Sequence, residues 1–158
     1  MRTADHSRAV AILVGLALAG SFGAAAAAPH DEVWKGSGTL FDRKRNAIAE
    51  YRLEMYRTTV SPTVQLREVR VYLPGGRLKK MTCRTRNTDK GWTSDCGESR
   101  GGGACFGDGL CIDYAVEEGG RAFATTIVMD GKDTMRLLRT ELVHGKAVRF
   151  FRERLVRQ

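Results

Sequence analysis

Hydrophobic and polar residues alternate along much of this chain with a period of two. Between Ala47 and Tyr56, the residues Ala47, Ala49, Tyr51, Leu53 and Met55 fall on one side. Ile48, Glu50, Arg52, Glu54 and Tyr56 fall on the other. Such a period marks a strand with one face toward an apolar interior and one mostly toward water. Val69, Val71 and Leu73 interleave with Glu68, Arg70 and Tyr72 before Pro74-Gly75-Gly76 turns the chain. Leu110, Ile112, Tyr114 and Val116 alternate with Cys111, Asp113, Ala115 and Glu117, and Glu118-Gly119-Gly120 ends the run. Ala122 to Met129 is rich in β-branched residues, and Asp130-Gly131 is a hairpin signal. Thr134 to Val143 and Lys146 to Arg152 follow, divided by His144-Gly145, and the first strand is expected over Val33 to Phe41. The last residues also fit a helical stripe through Val148, Phe151 and Leu155, so the end of the chain is open between strand and helix. Strands and turns recurring every ten or so residues predict an all-β domain, an antiparallel meander closing into a small barrel, with a β-sandwich as the alternative.

The N-terminal segment has a different character. Arg2 and Arg8 give a basic start, Ala9 to Gly20 is a short apolar run, and small residues follow from Ser21. These are the three parts of a secretory signal, expected over residues 1–27 with cleavage after Ala26 or Ala27. Residues 28–158 then form a single β-rich domain. No later apolar stretch reaches the length of a helical membrane span, so none is expected in the mature chain. The expected destination is the periplasm or the exterior.

That compartment decides how cysteine is read. An even number of cysteines in an exported chain implies disulfides. Cys83, Cys96, Cys105 and Cys111 allow three pairings, of which local closure favours Cys83–Cys96 and Cys105–Cys111. A metal site is not expected: there is no Cys-x-x-Cys, and His144 is the one histidine deep in the mature chain. The glycine-rich stretch between Cys96 and Cys111 contains one Gly-x-Ser-x-Gly match, Gly97 to Gly101. A nucleophile elbow needs a helix leaving it, and Gly101-Gly102-Gly103 does not start one. Gly102 and Gly107 have the spacing of a phosphate loop, yet Asp108-Gly109 follows where lysine and a hydroxyl residue are required. No calcium-loop pattern is present around Glu98, Asp108 and Asp113. The stretch reads as a stapled, glycine-rich connection beside a strand.

Charge adds a second theme. The 158-residue chain carries a formal net charge of +8. Arg136, Arg139, Lys146, Arg149, Arg152, Arg154 and Arg157 crowd the C-terminal strands, and Lys79, Lys80, Arg84 and Arg86 form another cluster. Such clusters suit an acidic envelope component or protein partner; nucleic acid is disfavoured by the compartment.

Trp34-Lys35-Gly36 near the first strand, followed by a β-meander, resembles the calycin group of lipocalin-like barrels. Those proteins carry Gly-x-Trp near the start of their first strand, and here the order is Trp-x-Gly. The resemblance implies an up-and-down barrel, with or without an apolar cavity, and carries over no ligand and no catalytic residue. The chain is also similar to an uncharacterised exported bacterial family, which implies no chemistry. The first expected function is therefore an exported barrel that binds a small apolar or amphipathic ligand, with Trp34, Tyr51, Met55, Phe123 and Ile127 lining the cavity or filling a core. The alternative is a basic surface-interaction protein. Catalysis is the least favoured class. His144 has Glu141 nearby but lies at a turn, and Ser37 and Ser99 have no evident base. No cofactor is implied.

Overall fold

A computed structural model describes residues 30–107 and 109–158. The leader expected over residues 1–27 lies outside them. The described chain forms ten strands: β1 (Glu32–Phe41), β2 (Ala47–Ser61), β3 (Val64–Tyr72), β4 (Leu78–Thr88), β5 (Gly91–Asp95), β6 (Ser99–Phe106), β7 (Leu110–Glu117), β8 (Arg121–Met129), β9 (Thr134–Val143) and β10 (Lys146–Arg157). Each strand pairs antiparallel with its neighbours in sequence, and β1 pairs with β10, so the sheet closes into a barrel. The barrel, rather than the sandwich, is the fold. Closure removes the free edges at which an open sheet would pair with other chains.

The turns follow the expected chemistry. His144 and Gly145 both have positive φ, 49° and 76°, and form the two-residue connection between β9 and β10. A turn with left-handed residues at both central positions matches the twist of the strands it joins. The His144 amide donates to the Gly120 carbonyl at 2.9 Å, which ties two turns together at one end of the barrel. The C-terminal segment is strand to Arg157, so the helical alternative is excluded.

The interior is divided. Trp34, Tyr51, Leu53, Met55, Met135, Leu137 and Leu155 form a buried apolar cluster supplied by β1, β2, β9 and β10. Val69, Val71, Ile127, Met129 and Phe151 pack against it. Around the other side, β4 to β7 direct small or polar residues to the same face. The register aligns Thr85 with Ser94, Ser94 with Gly101 and Gly101 with Ala115. Thr85, Ser94 and Ser99 are buried there.

Two disulfides cross-link that second side, Cys83–Cys96 and Cys105–Cys111, and no described cysteine is free. Cys83 is fully buried. Disulfides of this kind belong to a chain that folds in an oxidising environment. The glycine-rich stretch is more than a connection: Ser99–Phe106 is itself a strand, with Gly101, Gly102 and Gly103 in its middle. Glycine is poor for a strand unless something approaches its backbone closely, and here something does. A side chain on Gly101 would lie 1.9 Å from the Tyr114 carbonyl oxygen, and one on Gly103 would lie 2.3 Å from the Trp92 ring.

β7 is turned over relative to its apolar pattern. Leu110, Ile112, Tyr114 and Val116 are exposed, between 41% and 48%, while Cys111 is buried and Asp113 and Ala115 share its face. The register accounts for this. Cys111 lies opposite Cys105, Asp113 opposite Gly103 and Ala115 opposite Gly101, so the bridge and the glycines of β6 hold the small residues inward.

Candidate functional site

Two three-strand rows cross the interior in the same way. In the first, Tyr51 of β2, Gly38 of β1 and Glu153 of β10 are aligned across the sheet. In the second, Trp92 of β5, Gly103 of β6 and Asp113 of β7 are aligned. In each, an aromatic ring lies over the central glycine and its polar tip reaches the carboxylate on the far strand. Tyr51 Oη donates to Glu153 Oε1 at 2.6 Å. Trp92 Nε1 donates to Asp113 Oδ1 at 3.3 Å. A Cβ on Gly38 would lie 2.4 Å from Tyr51 Cζ, so the glycine is what lets the ring cross.

The rows differ in how they end. Glu153 is 3% exposed, and Arg139 Nη2 approaches its second oxygen at 3.3 Å. A buried carboxylate with a phenol and a guanidinium is a closed network. Burial pushes the Tyr51 hydroxyl well above its ordinary range, helped by the Glu153 charge and their hydrogen bond, with Arg139 opposing; the phenol stays protonated as a donor. Asp113 has no cation within ion-pairing distance among the described residues, and Trp92 is its one side-chain donor there.

Arg67 lies close enough to this second row to feel the charge of Asp113. It lies on β3 opposite Cys83 of β4 and Arg57 of β2, two positions from Val69 on the interior face. Its Nε is the one buried side-chain polar atom among the described residues without a hydrogen-bond partner. Burial pulls its guanidinium below the ordinary range; Asp113 opposes that, and the neighbouring charges of Arg57 and Arg139 add to it. Arg57 and Arg139 have carboxylate partners in Glu32 and Glu153.

The residues expected to line a cavity are partly brought together. Trp34, Tyr51 and Met55 belong to the buried cluster and Ile127 packs on it. Phe123 is half-buried farther round, opposite Ala115 and Glu141. The basic cluster of the last strands is split by the alternation. Arg136, Arg152 and Arg154 are exposed, with Arg154 opposite Arg136. Lys146 is exposed at the turn. Arg139 is not part of an exposed basic face: its guanidinium turns to buried Glu153. Arg149 extends toward Glu141, which is buried and also meets Arg121 at 3.3 Å. Two surface grooves lie on the barrel wall. One, of about 330 Å³, runs past Phe41, Arg45, Leu138 and Phe150, with the Arg45 guanidinium 3.6 Å from the Phe150 ring centre. The other passes Ser37, Glu50, Arg52 and Tyr72.

Arg67 and Glu153 escaped the sequence reading, and Asp113 was considered there only as a calcium ligand and set aside. A signal for Arg67 was present: it continues the Val71, Val69 face of β3 as a charged residue on an apolar stripe.

The fold and this interior define a closed ten-stranded antiparallel barrel with a polar side. No protein-family model matches the chain, and no curated protein matches it in sequence. Solved structures do resemble it. A protein of unknown function from the DUF3598 family of Nostoc punctiforme superposes with a TM-score of 0.67 at 12% identity. The match covers 80% of this chain, which spans 46% of that one. The S-type phycobiliprotein lyase CPES from Guillardia theta superposes with a TM-score of 0.64 at 11% identity, covering 80% of this chain and 86% of that one. At such identities the likeness is one of fold.

Proposed function

We propose that this chain is an exported β-barrel binding protein that takes a small apolar or amphipathic ligand into its interior. The observation that carries the reading is the lining of the second side. Eight strands already give an interior that side chains just fill. Here ten strands surround it, and β4 to β7 contribute Thr85, Ser94, Ser99, Gly101, Gly103 and Ala115, which are too small to fill a wider barrel. The apolar cluster around Trp34, Tyr51 and Met55 would form the wall against which a tail lies, with Ile127 and Phe123 continuing it. A fold relative is named a phycobiliprotein lyase, which is compatible with this reading. Export to the periplasm or exterior fits the expected signal over residues 1–27 and the two disulfides.

Native mass spectrometry of the protein purified from its own compartment tests this reading. A co-purifying small molecule, released on denaturation, is expected. An apo mass, together with no uptake of the neutral dye Nile red, would remove it.

One observation favours a second reading, a basic surface that meets an acidic envelope component or protein. Arg136, Arg152 and Arg154 share the outer face of β9 and β10, and Lys80, Arg84 and Arg86 share that of β4. Binding to anionic liposomes that falls as salt rises, and falls further in an Arg152→Gln/Arg154→Gln variant, is its expected sign.

A further inference from the structure

The two aromatic–glycine–carboxylate rows are built alike, yet only one is electrically complete. In the Tyr51 row the carboxylate meets Arg139. Among the described residues, Asp113 of the Trp92 row meets no cation, and the Nε of Arg67, the nearby cation whose field it feels, meets no acceptor. Burying a guanidinium N–H without an acceptor is costly, and proteins rarely leave such a donor unpaired. Arg67 and Asp113 do not form an ion pair with each other. Whatever completes the network must offer an acceptor to Arg67 and a donor to Asp113.

We propose that Arg67 and Asp113 together bind the head group of an amphipathic ligand carrying a carboxylate and an adjacent N–H or O–H, such as an N-acyl amino acid or a hydroxy acid. The carboxylate takes the guanidinium, whose planar fork matches two carboxylate oxygens. The neighbouring donor takes the Asp113 carboxylate, whose other side is held by Trp92. The tail runs along Val69 and Val71, which continue the face of β3 from Arg67 toward the apolar cluster. Asp113 supplies selectivity: it repels a head with acceptors alone, and Arg67 repels a cationic head. This assignment rests on the interior-binding reading and names the ligand class that reading leaves open.

Three twelve-carbon probes of equal tail test it by calorimetry below their micellar concentrations, with Nile red as a neutral probe of the interior. N-lauroylglycine carries the carboxylate and the N–H, laurate the carboxylate alone, and dodecyltrimethylammonium a cation. N-lauroylglycine is expected to bind best, laurate about tenfold more weakly, and the cation not measurably. Arg67→Met is expected to weaken N-lauroylglycine at least tenfold while leaving Nile red unchanged. Asp113→Asn is expected to erase the preference for N-lauroylglycine over laurate. The thermal midpoint of ligand-free Arg67→Met supplies an independent measure. A rise is expected, because a half-buried charge with an unpartnered Nε has been replaced by an apolar chain of similar length. If Nile red enters but N-lauroylglycine binds Arg67→Met as tightly as the parent, the head-group site is overturned and the interior compartment stands. If neither probe binds the parent, the compartment itself is overturned. A fall in the ligand-free midpoint of Arg67→Met would make Arg67 a structural residue and overturn its role as an anchor.

Discussion

The two sides of the barrel achieve order by different means. On the side of β1, β2, β9 and β10, large apolar side chains fill the space, with Leu155 at 1% exposure and Trp34 and Met135 at 2%. Its buried carboxylates are each partnered twice, Glu153 by Tyr51 and Arg139 and Glu141 by Arg121 and Arg149. On the side of β4 to β7, side chains are small or polar, and covalent bridges and close backbone contacts take over. The first side has the character of a finished core. The second is held by bridges and close backbone contacts, and among the described residues it has a carboxylate, Asp113, without an ion-pair partner and lies near an arginine, Arg67, whose Nε has no acceptor. Cross-links add stability where small side chains supply little packing.

The largest expected test of this contrast removes the cation from each side. Arg139→Met should destabilise by about 3 kcal/mol or more, since it strands buried Glu153. Urea unfolding should therefore separate it clearly from Arg67→Met, for which the opposite sign is expected. If both variants lose stability equally, the two sides are energetically alike. Next comes the Cys83→Ser/Cys96→Ser pair. The bridge spans 13 residues of sequence, and its loss should cost about 3 kcal/mol on the chain-entropy account. Hydrogen exchange should show the loss in β4 to β6 first and in β1 and β10 last. Uniform loss would mean that the second side is not separately held.

A smaller effect distinguishes the two crossing glycines. At Gly38 an added methyl meets the Tyr51 ring, whereas at Gly103 it meets both the Trp92 ring and the Ile112 carbonyl, each at 2.3 Å. Gly103→Ala should therefore cost more than Gly38→Ala, both within about 1–3 kcal/mol. Trp92 emission should shift in the first variant and not in the second. The smallest effect is expected from Ile112→Glu. Its side chain is 48% exposed on the outer face, so its melting curve should stay within about 0.5 kcal/mol of the parent. A large loss would mean that β7 is paired one residue out of register, which would exchange its two faces.

The same contrast explains what could be read from the residues alone. The strands containing Tyr51, Met55 and Ile127 announced themselves, because a packed wall requires regular apolar alternation. So did the barrel and the local pairing of Cys83 with Cys96 and of Cys105 with Cys111. The strands of the second side were less plain. Along β4, Lys79, Cys83, Thr85 and Asn87 share one face and Lys80, Thr82, Arg84 and Arg86 the other, so both faces are largely polar. β6 has three consecutive glycines, whose value lies in what approaches them from other strands, a property no local pattern records. In β7 the alternation was visible and its sense was not. Which set faced inward depended on Cys105 and Gly103 across the sheet. Arg139 was grouped with the basic cluster because arginine crowds the last strands, although the alternation already put it on the face of Leu137 and Met135. The buried Glu153 that draws it inward lies on another strand.

The pairing of β1 with β10 has a consequence of a different order. These strands come from opposite ends of the described chain, joined from Trp34↔Arg157 to Phe41↔Phe150, with the Gln158 amide donating to the Val33 carbonyl at 2.9 Å. In space, the strand order is a ring with no first member. Every other pairing is closed by a short turn and can form early; this one has the longest loop to close and waits for all the others. Covalent continuity at the seam is thus interchangeable with continuity elsewhere. Linking residue 158 to residue 30 through a short flexible segment, and opening the chain at the exposed turn between β8 and β9, would leave every neighbour in place while moving the slow closure to a hairpin that now forms locally.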